Sequence, residues 1–298
     1  MDINIIGVPL FYGCDRKGVD LSPNTLRENG IINIIEKHNH KVYDLGNIYV
    51  PAVSEKNKYS HSNKMKYLKE IVDVNTNLAH QVYTSINSGN FPLIIGGDHA
   101  LGLGSLRGAN RKYSKLAVVW IDAHGDINTH ETTPSGNVHG MPLAAAMGIG
   151  HNDLTNTYYH GVNVNPENVF LIAARDLDKG ETQLIKDKNI NLYTTNTIKE
   201  LGIEKVMEDV ISKLKSKDID AVHLSFDIDC LDSNLVPGTG TPVCEGIELS
   251  HGKYALKALL ETNLICSLDF VELNTKLDSS QQTLNICLEL MDWISKHL

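Results

Sequence analysis

The sequence predicts an α/β protein of three layers, with a mostly parallel central sheet of about eight strands between helices. Three observations predict it. Short β-rich runs alternate with helical periodicity from end to end, the pattern of strand–helix–strand crossovers. Several runs are almost wholly apolar, as strands covered on both faces should be. No repeat, low-complexity linker or break in composition divides the 298 residues, so one domain spanning 1–298 is expected.

Ile3–Gly7 reads as the first strand. Ser22-Pro23 looks like an N-cap followed by proline at the first helical position. Lys41–Leu45 is the second strand. Met65, Leu68, Ile71, Val72, Leu78, Ala79, Val82 and Ile86 then recur at helical spacing and stop near Gly89. Pro92–Ile95 and Leu116–Ile121 follow as strands, then Asn168–Ala173 and Ile190–Tyr193. Val206, Met207, Val210, Ile211 and Leu214 repeat the helical pattern before the strands Ala221–Phe226 and Cys266–Val271. Leu284, Cys287, Leu288, Met291 and Ile294 make the last helix.

An apolar fraction of 42% and a charged fraction of 21% describe a soluble globular chain. A net charge of −9, with 27 dispersed basic residues, argues against a nucleic-acid partner. No apolar segment approaches membrane-spanning length, and no early stretch is built like a secretory signal. Five scattered cysteines without a CxxC pair fit reduced thiols. A cytoplasmic location is therefore expected.

Asp122-Ala-His124-Gly-Asp126 places three metal-grade side chains on alternate residues directly after an apolar run. Asp227-Ile-Asp229 ends another run with the same spacing, and His99 in Gly-Gly-Asp98-His99 follows a third. Side chains two apart on an extended chain point the same way. In a parallel sheet the carboxyl ends of the strands converge on one crevice. Four Asp and two His suit two divalent cations sharing bridging carboxylates, since burying the carboxylates without cations would be prohibitively repulsive. Oxygen-rich ligands with some imidazole and no thiolate favour Mn over Zn. Four negative charges against two divalent ions leave a neutral cluster, able to acidify a bridging water and so suited to hydrolysis. The polar run between Asp126 and Pro142 suits a substrate-binding loop or a loop that caps its own backbone.

Gly96-Gly97-Asp98-His99, Asp122 to Thr129, Ser135-Gly-Asn-Val-His-Gly140, Ser225 to Asp232 and Pro237 to Pro242 together resemble the ureohydrolase family in order and spacing. That family comprises arginases, agmatinases and formimidoylglutamases. Gly7-Val-Pro9, Lys17-Gly-Val-Asp20 and Ser22-Pro23 extend the resemblance over nearly the whole chain. Asp-Ile-Asn-Thr followed by Ser-Gly-Asn-x-His-Gly is most similar to the arginase branch. The resemblance implies an arginase/deacetylase-like sheet and a binuclear hydrolase with two Mn(2+) per subunit. Its reaction would be attack of metal-bridging hydroxide on the guanidinium carbon of L-arginine, giving L-ornithine and urea. By motif, His99 and Asp126 would bind one ion, His124 and Asp229 the other, and Asp122 and Asp227 both. Asp126 would pass a proton to the departing amine, His139 would shuttle protons, and Glu272 would receive the guanidinium. Asn128, Thr133, Ser135 and Asn137 match positions that recognise the α-carboxylate. Asp178 and Glu181 match those facing the α-amino group, and Thr241 one near the guanidinium.

Two alternatives stand beside this reading: agmatinase- or formimidoylglutamase-type activity, and a metal-stabilised amino-acid-binding protein without turnover. The latter has no need of a proton shuttle. The family's trimeric or hexameric assembly carries over weakly, because Ser250-His251 stands where many arginases have an intersubunit Arg-Glu pair. Cys230 and Cys244-Glu245-Gly246 also depart from the common pattern. An inert small core side chain is the expected role for Cys230.

Overall fold

The computed structural model describes all 298 residues. Eight strands form one sheet: β1 (Asp2–Val8), β2 (Lys41–Asn47), β3 (Phe91–Gly96), β4 (Leu116–Ile121), β5 (Val169–Ala174), β6 (Asn191–Thr194), β7 (Ala221–Asp227) and β8 (Ile265–Val271). Their order is β2-β1-β3-β8-β7-β4-β5-β6. Every neighbouring pair is parallel, so the mostly parallel sheet expected from sequence is wholly parallel.

Alternation along the inner strands fills two separate cores. Ala117, Val119 and Ile121 of β4 face one core with Ile3, Ile5, Leu93, Leu224 and Phe226. Val118 and Trp120 face the other with Ile6, Val8 and Ile94. Residues of the helices Ile203–Ser216 and Gln282–His297 lie in the first core, and residues of Leu68–Asn87 and Gly102–Lys112 in the second. Burial on both faces is why these strands are mostly apolar, with His223, Ser225, Ser267 and Asp269 as buried polar exceptions on β7 and β8.

Two helix starts differ from the sequence reading. The helix expected from Met65 begins at Leu68, because Tyr67 takes a left-handed backbone (φ 51°) that breaks the helical run. Ser22 is not an N-cap. A 3-10 turn over Val19–Leu21 feeds straight into the helix Ser22–Glu28, so Ser22 is already helical and its hydroxyl caps nothing. Pro23 does stand in the first turn, where its missing N–H costs no hydrogen bond.

The strand order makes the site. β3, β8, β7, β4 and β5 are consecutive neighbours. The segments leaving their carboxyl ends carry His99, Glu272, Asp227 with Asp229, Asp122 to Asp126, and Arg175 to Asp178 respectively. Residues more than a hundred positions apart thereby meet on one rim.

Candidate active site

Each ligand-bearing segment is fixed by short local bonds. Asp98 accepts from Ala100 N through Oδ1 and from Gly13 N (2.7 Å) and Cys14 N (3.0 Å) through Oδ2. It therefore both caps the turn that presents His99 and ties down the segment around Gly13. Gly97 must be glycine: a Cβ there would meet Leu10 O at 1.9 Å. Asp122 and Asp227 each accept from the backbone two residues on, His124 N at 2.7 Å and Asp229 N at 2.9 Å. The same carboxylates that would hold a cation thus shape the turns that present the next ligands.

His99 Nδ1 faces three carboxylate oxygens: Asp122 Oδ2 at 2.9 Å, Asp126 Oδ2 at 3.0 Å and Asp227 Oδ2 at 3.1 Å. Its ring stacks on Trp120, centroids 4.0 Å apart, and its Nε2 meets Ser225 Oγ at 2.7 Å. His124 Nδ1 lies 3.3 Å from Asp122 Oδ1 and 3.2 Å from Asp229 Oδ2. The two oxygens of Asp122 therefore look toward different histidines, and Asp122 belongs to both metal-capable groups, His99–Asp122–Asp227 and Asp122–His124–Asp229. Asp126 joins the first through its contact with His99.

This arrangement fits cations. Asp122, Asp126, Asp227 and Asp229 are all at most 5% exposed. His99 Nδ1 and Asp126 Oδ2 are buried with no hydrogen-bond partner. Burial, with neighbouring carboxylates adding to it, pushes Asp126 up to about 6 and Asp227 well above the usual carboxylate range. Burial acts the other way on the histidines, yet the aspartates around them hold His99 and His124 well above the ordinary imidazole value. Buried anions crowded this closely need a counter-charge, and divalent ions on oxygen and imidazole donors supply it without any cysteine in either group.

Beside the cluster, a cavity of about 110 Å³ is lined entirely by non-hydrophobic residues. Asn128, Thr133, Ser135, Asn137, Asp178, Glu181 and Thr241 all line it, with His124, Asp126 and His139. Glu272 closes the site from β8: its Oε1 accepts from His99 N at 2.9 Å and sits 3.3 Å from His139 Nδ1, while its Oε2 is buried without a partner. Burial alone would lower His139, but the hydrogen bond and charge of Glu272 raise it above the ordinary imidazole value.

The polar loop is both things its composition allowed. Thr133 Oγ1 accepts from Gly136 N at 3.1 Å and Ser135 Oγ from Asn137 N at 3.2 Å, so it caps itself; the same residues line the cavity. Asn137 also takes Lys66 Nζ on its Oδ1 and donates to Cys14 O. Glu181 is more occupied than its motif suggests. It forms a capping box with Asp178, accepting from Ile127 N (3.1 Å) and Asp178 N (3.0 Å), and burial pushes it up to about 7.

Two residues escape motif matching. Asp176 lines the cavity with its Oδ2 3.9 Å from His124 Nε2; its signal is the same alternation, Asp176-Leu-Asp178, after a strand end. Arg175 donates to six backbone carbonyls: Asp229, Cys230, Leu231, Ala173, Val243 and Cys244. It clamps the end of β5 to the turn that presents Asp229, and nothing in its sequence surroundings announces that. Cys230 is fully buried, with burial raising its thiol well above the ordinary value, as suits a core side chain.

Fold and site together define a parallel α/β protein with a metal-capable cluster of carboxylates and imidazoles at the carboxyl ends of its strands, and comparison with known proteins narrows the class. The model of the arginase family matches residues 1–294. An arginase of Brevibacillus brevis is 42% identical over 290 residues, 97% of this chain and 96% of that protein. An arginase of Staphylococcus aureus (strain COL) is 43% identical over 289 residues, 97% and 95% respectively. The crystal structure of arginase from Bacillus cereus superposes with a TM-score of 0.92 at 40% identity, covering 99% of this chain and 98% of that one. The chain belongs to the arginase family.

Proposed function

We propose that residues 1–298 act as one domain that hydrolyses L-arginine to L-ornithine and urea with two Mn(2+) per subunit. The observation that carries this reading is the pair of His/Asp groups sharing Asp122 beside a cavity with no hydrophobic residue in its lining. His99 and Asp126 would hold one ion, His124 and Asp229 the other, with Asp122 and Asp227 between them. When bound, the ions would supply Lewis acidity, activating water and neutralising the buried carboxylates.

The side chains do the rest. Glu272 Oε2, buried and without a partner, would accept the guanidinium N–H groups and fix the plane of that cation. Thr241, hydrogen-bonded to Asp229 Oδ2 at 3.0 Å, would flank it. At the other end of the substrate, Asp178 would face the α-amino group with Glu181 behind it, and Asp176 adds a further carboxylate. Asn128, Thr133, Ser135 and Asn137 would meet the α-carboxylate. Agmatine has no α-carboxylate, so it would leave those polar groups without their partner.

In the chemical step a water oxygen bonds to the guanidinium carbon, and the bond from that carbon to the substrate's chain nitrogen breaks. Asp126 would take the water's proton and hand it to the departing nitrogen, which becomes the ornithine amine. His139, its pKa raised by the hydrogen bond and charge of Glu272, would move protons between the site and solvent. Elemental analysis of protein incubated with manganese and desalted tests the binuclear part: two ions per chain are expected, and one per chain overturns it. The cytoplasm is the proposed location and a homo-oligomer the proposed assembly. No helix is long and apolar enough to cross a membrane.

A further inference from the structure

Away from the active site, the helix Gly102–Lys112 buries a cation without a matching anion. Arg107 is 1% exposed. Its hydrogen bonds go to carbonyl oxygens alone and it forms no ion pair with a carboxylate, while burial lowers its pKa. Its Nε donates to Thr157 O at 3.2 Å, its Nη1 to Asn163 Oδ1 at 2.9 Å, and its Nη2 to Tyr159 O. The guanidinium carbon lies 4.5 Å from the centroid of the Tyr159 ring. A guanidinium has five N–H groups, so two remain beyond those three bonds. Arg175 makes the contrast: its donors all end on carbonyls of the segments it clamps.

Arg107 lines a cavity of about 340 Å³ with Asn152, Thr155, Asn156, His160 and Asn163. No lining residue is acidic and none is hydrophobic. The asparagines are committed in a particular sense. Asn163 Oδ1 is taken by Arg107, and Asn156 Oδ1 lies 3.1 Å from His160 Nδ1, which must donate to it. Both amides are left with their NH2 ends as donors. The cavity thus gathers a buried guanidinium and amide donors from three segments and offers no side-chain anion to satisfy them. It shares no residue with the catalytic cavity.

We propose that this cavity is a binding site for a small tetrahedral oxyanion of the sulfate or phosphate type. Such an ion supplies the charge that Arg107 lacks, and it carries several acceptor oxygens for donors arriving from different directions. A carboxylate has two oxygens in one plane and would serve fewer of them. The proposal is independent of which substrate the active site takes.

Sulfate is the probe, because it does not precipitate the metal. Isothermal titration calorimetry of the full-length, metal-loaded protein against sulfate, at ionic strength matched with chloride, should show saturable binding of one ion per chain. Arg107→Gln should weaken it at least tenfold. The exposed Asn156→Ala, which keeps the protein folded if Arg107→Gln does not, should weaken it several-fold. Crystals soaked in selenate should show an anomalous peak in this cavity. No saturable heat, an affinity unchanged in both variants, a selenate peak only elsewhere, or acetate binding as tightly as sulfate would each overturn the proposal.

Discussion

Asp126 and Glu272, the two carboxylates assigned to proton transfer and guanidinium binding, both sit in left-handed backbone, with φ of 53° and 69°. Non-glycine residues hold that conformation only where surrounding structure insists on it, and here the bonds around His99, Glu181 and Gly97 do so. At this scale His139→Asn should lower kcat about a hundredfold or more, the usual worth of a positioned acid–base group, with a much smaller change in KM. Steady-state urea release checks it, and equal loss in both constants would count against the shuttle. Ser225 holds the far nitrogen of His99 and so fixes which nitrogen faces the aspartates. Ser225→Ala should weaken metal affinity about tenfold to a hundredfold, read by competition with a chelator. The metal-grade residues were legible in the sequence because three separate segments each place Asp or His just after an apolar run, a joint pattern that burial without cations would make repulsive. Ser225 and Arg175 were not, since their partners lie in other segments and leave no periodicity.

The elements show the same division. The inner strands β3, β4 and β5 could be read from apolar runs because both faces of the sheet are buried there, and the ends of all eight strands moved by only a residue or two. The start of the helix at Ser22 was misread because an N-cap serine and a serine entered from a 3-10 turn look alike in one dimension. Between elements, Arg175 joins β5 to the Asp229 turn and to the 243–244 loop. Arg175→Lys keeps the charge but loses the planar fork. It should destabilise the protein by about 2–3 kcal/mol, the scale of one or two charge-assisted hydrogen bonds, and reduce metal content; urea denaturation and elemental analysis read the two. Asp15 links the 13–16 segment to Lys66 at 3.1 Å and Lys58 at 3.2 Å. Burial would raise its pKa, but the two ammoniums hold it below its ordinary value of 3.8. A depressed folded pKa contributes stability above the unfolded value, lost as pH falls through the folded one. The deficit of Asp15→Asn, about 1 kcal/mol or less for a partly exposed group, should therefore be constant near neutrality and vanish in acid, as denaturation at several pH values would show.

Across the whole molecule, one parallel sheet brings five strand ends together, and the carboxylates gathered there are unfavourable neighbours until cations join them. Stripping the metal should therefore destabilise the fold, by about 2.7 kcal/mol or more if the ions are normally present at a hundred times their dissociation constant. The loss should grow with pH. A buried acid with a raised folded pKa holds more protons folded than unfolded, so the stripped protein loses stability as pH climbs from the ordinary carboxylate value toward 6, the value for Asp126. Melting curves with and without chelator check this. L-arginine is the proposed substrate, and the most direct test is urea release by the manganese-loaded protein from L-arginine and agmatine side by side. Rapid release from L-arginine and little from agmatine is the predicted result; preference for agmatine, or no urea from either, would contradict it.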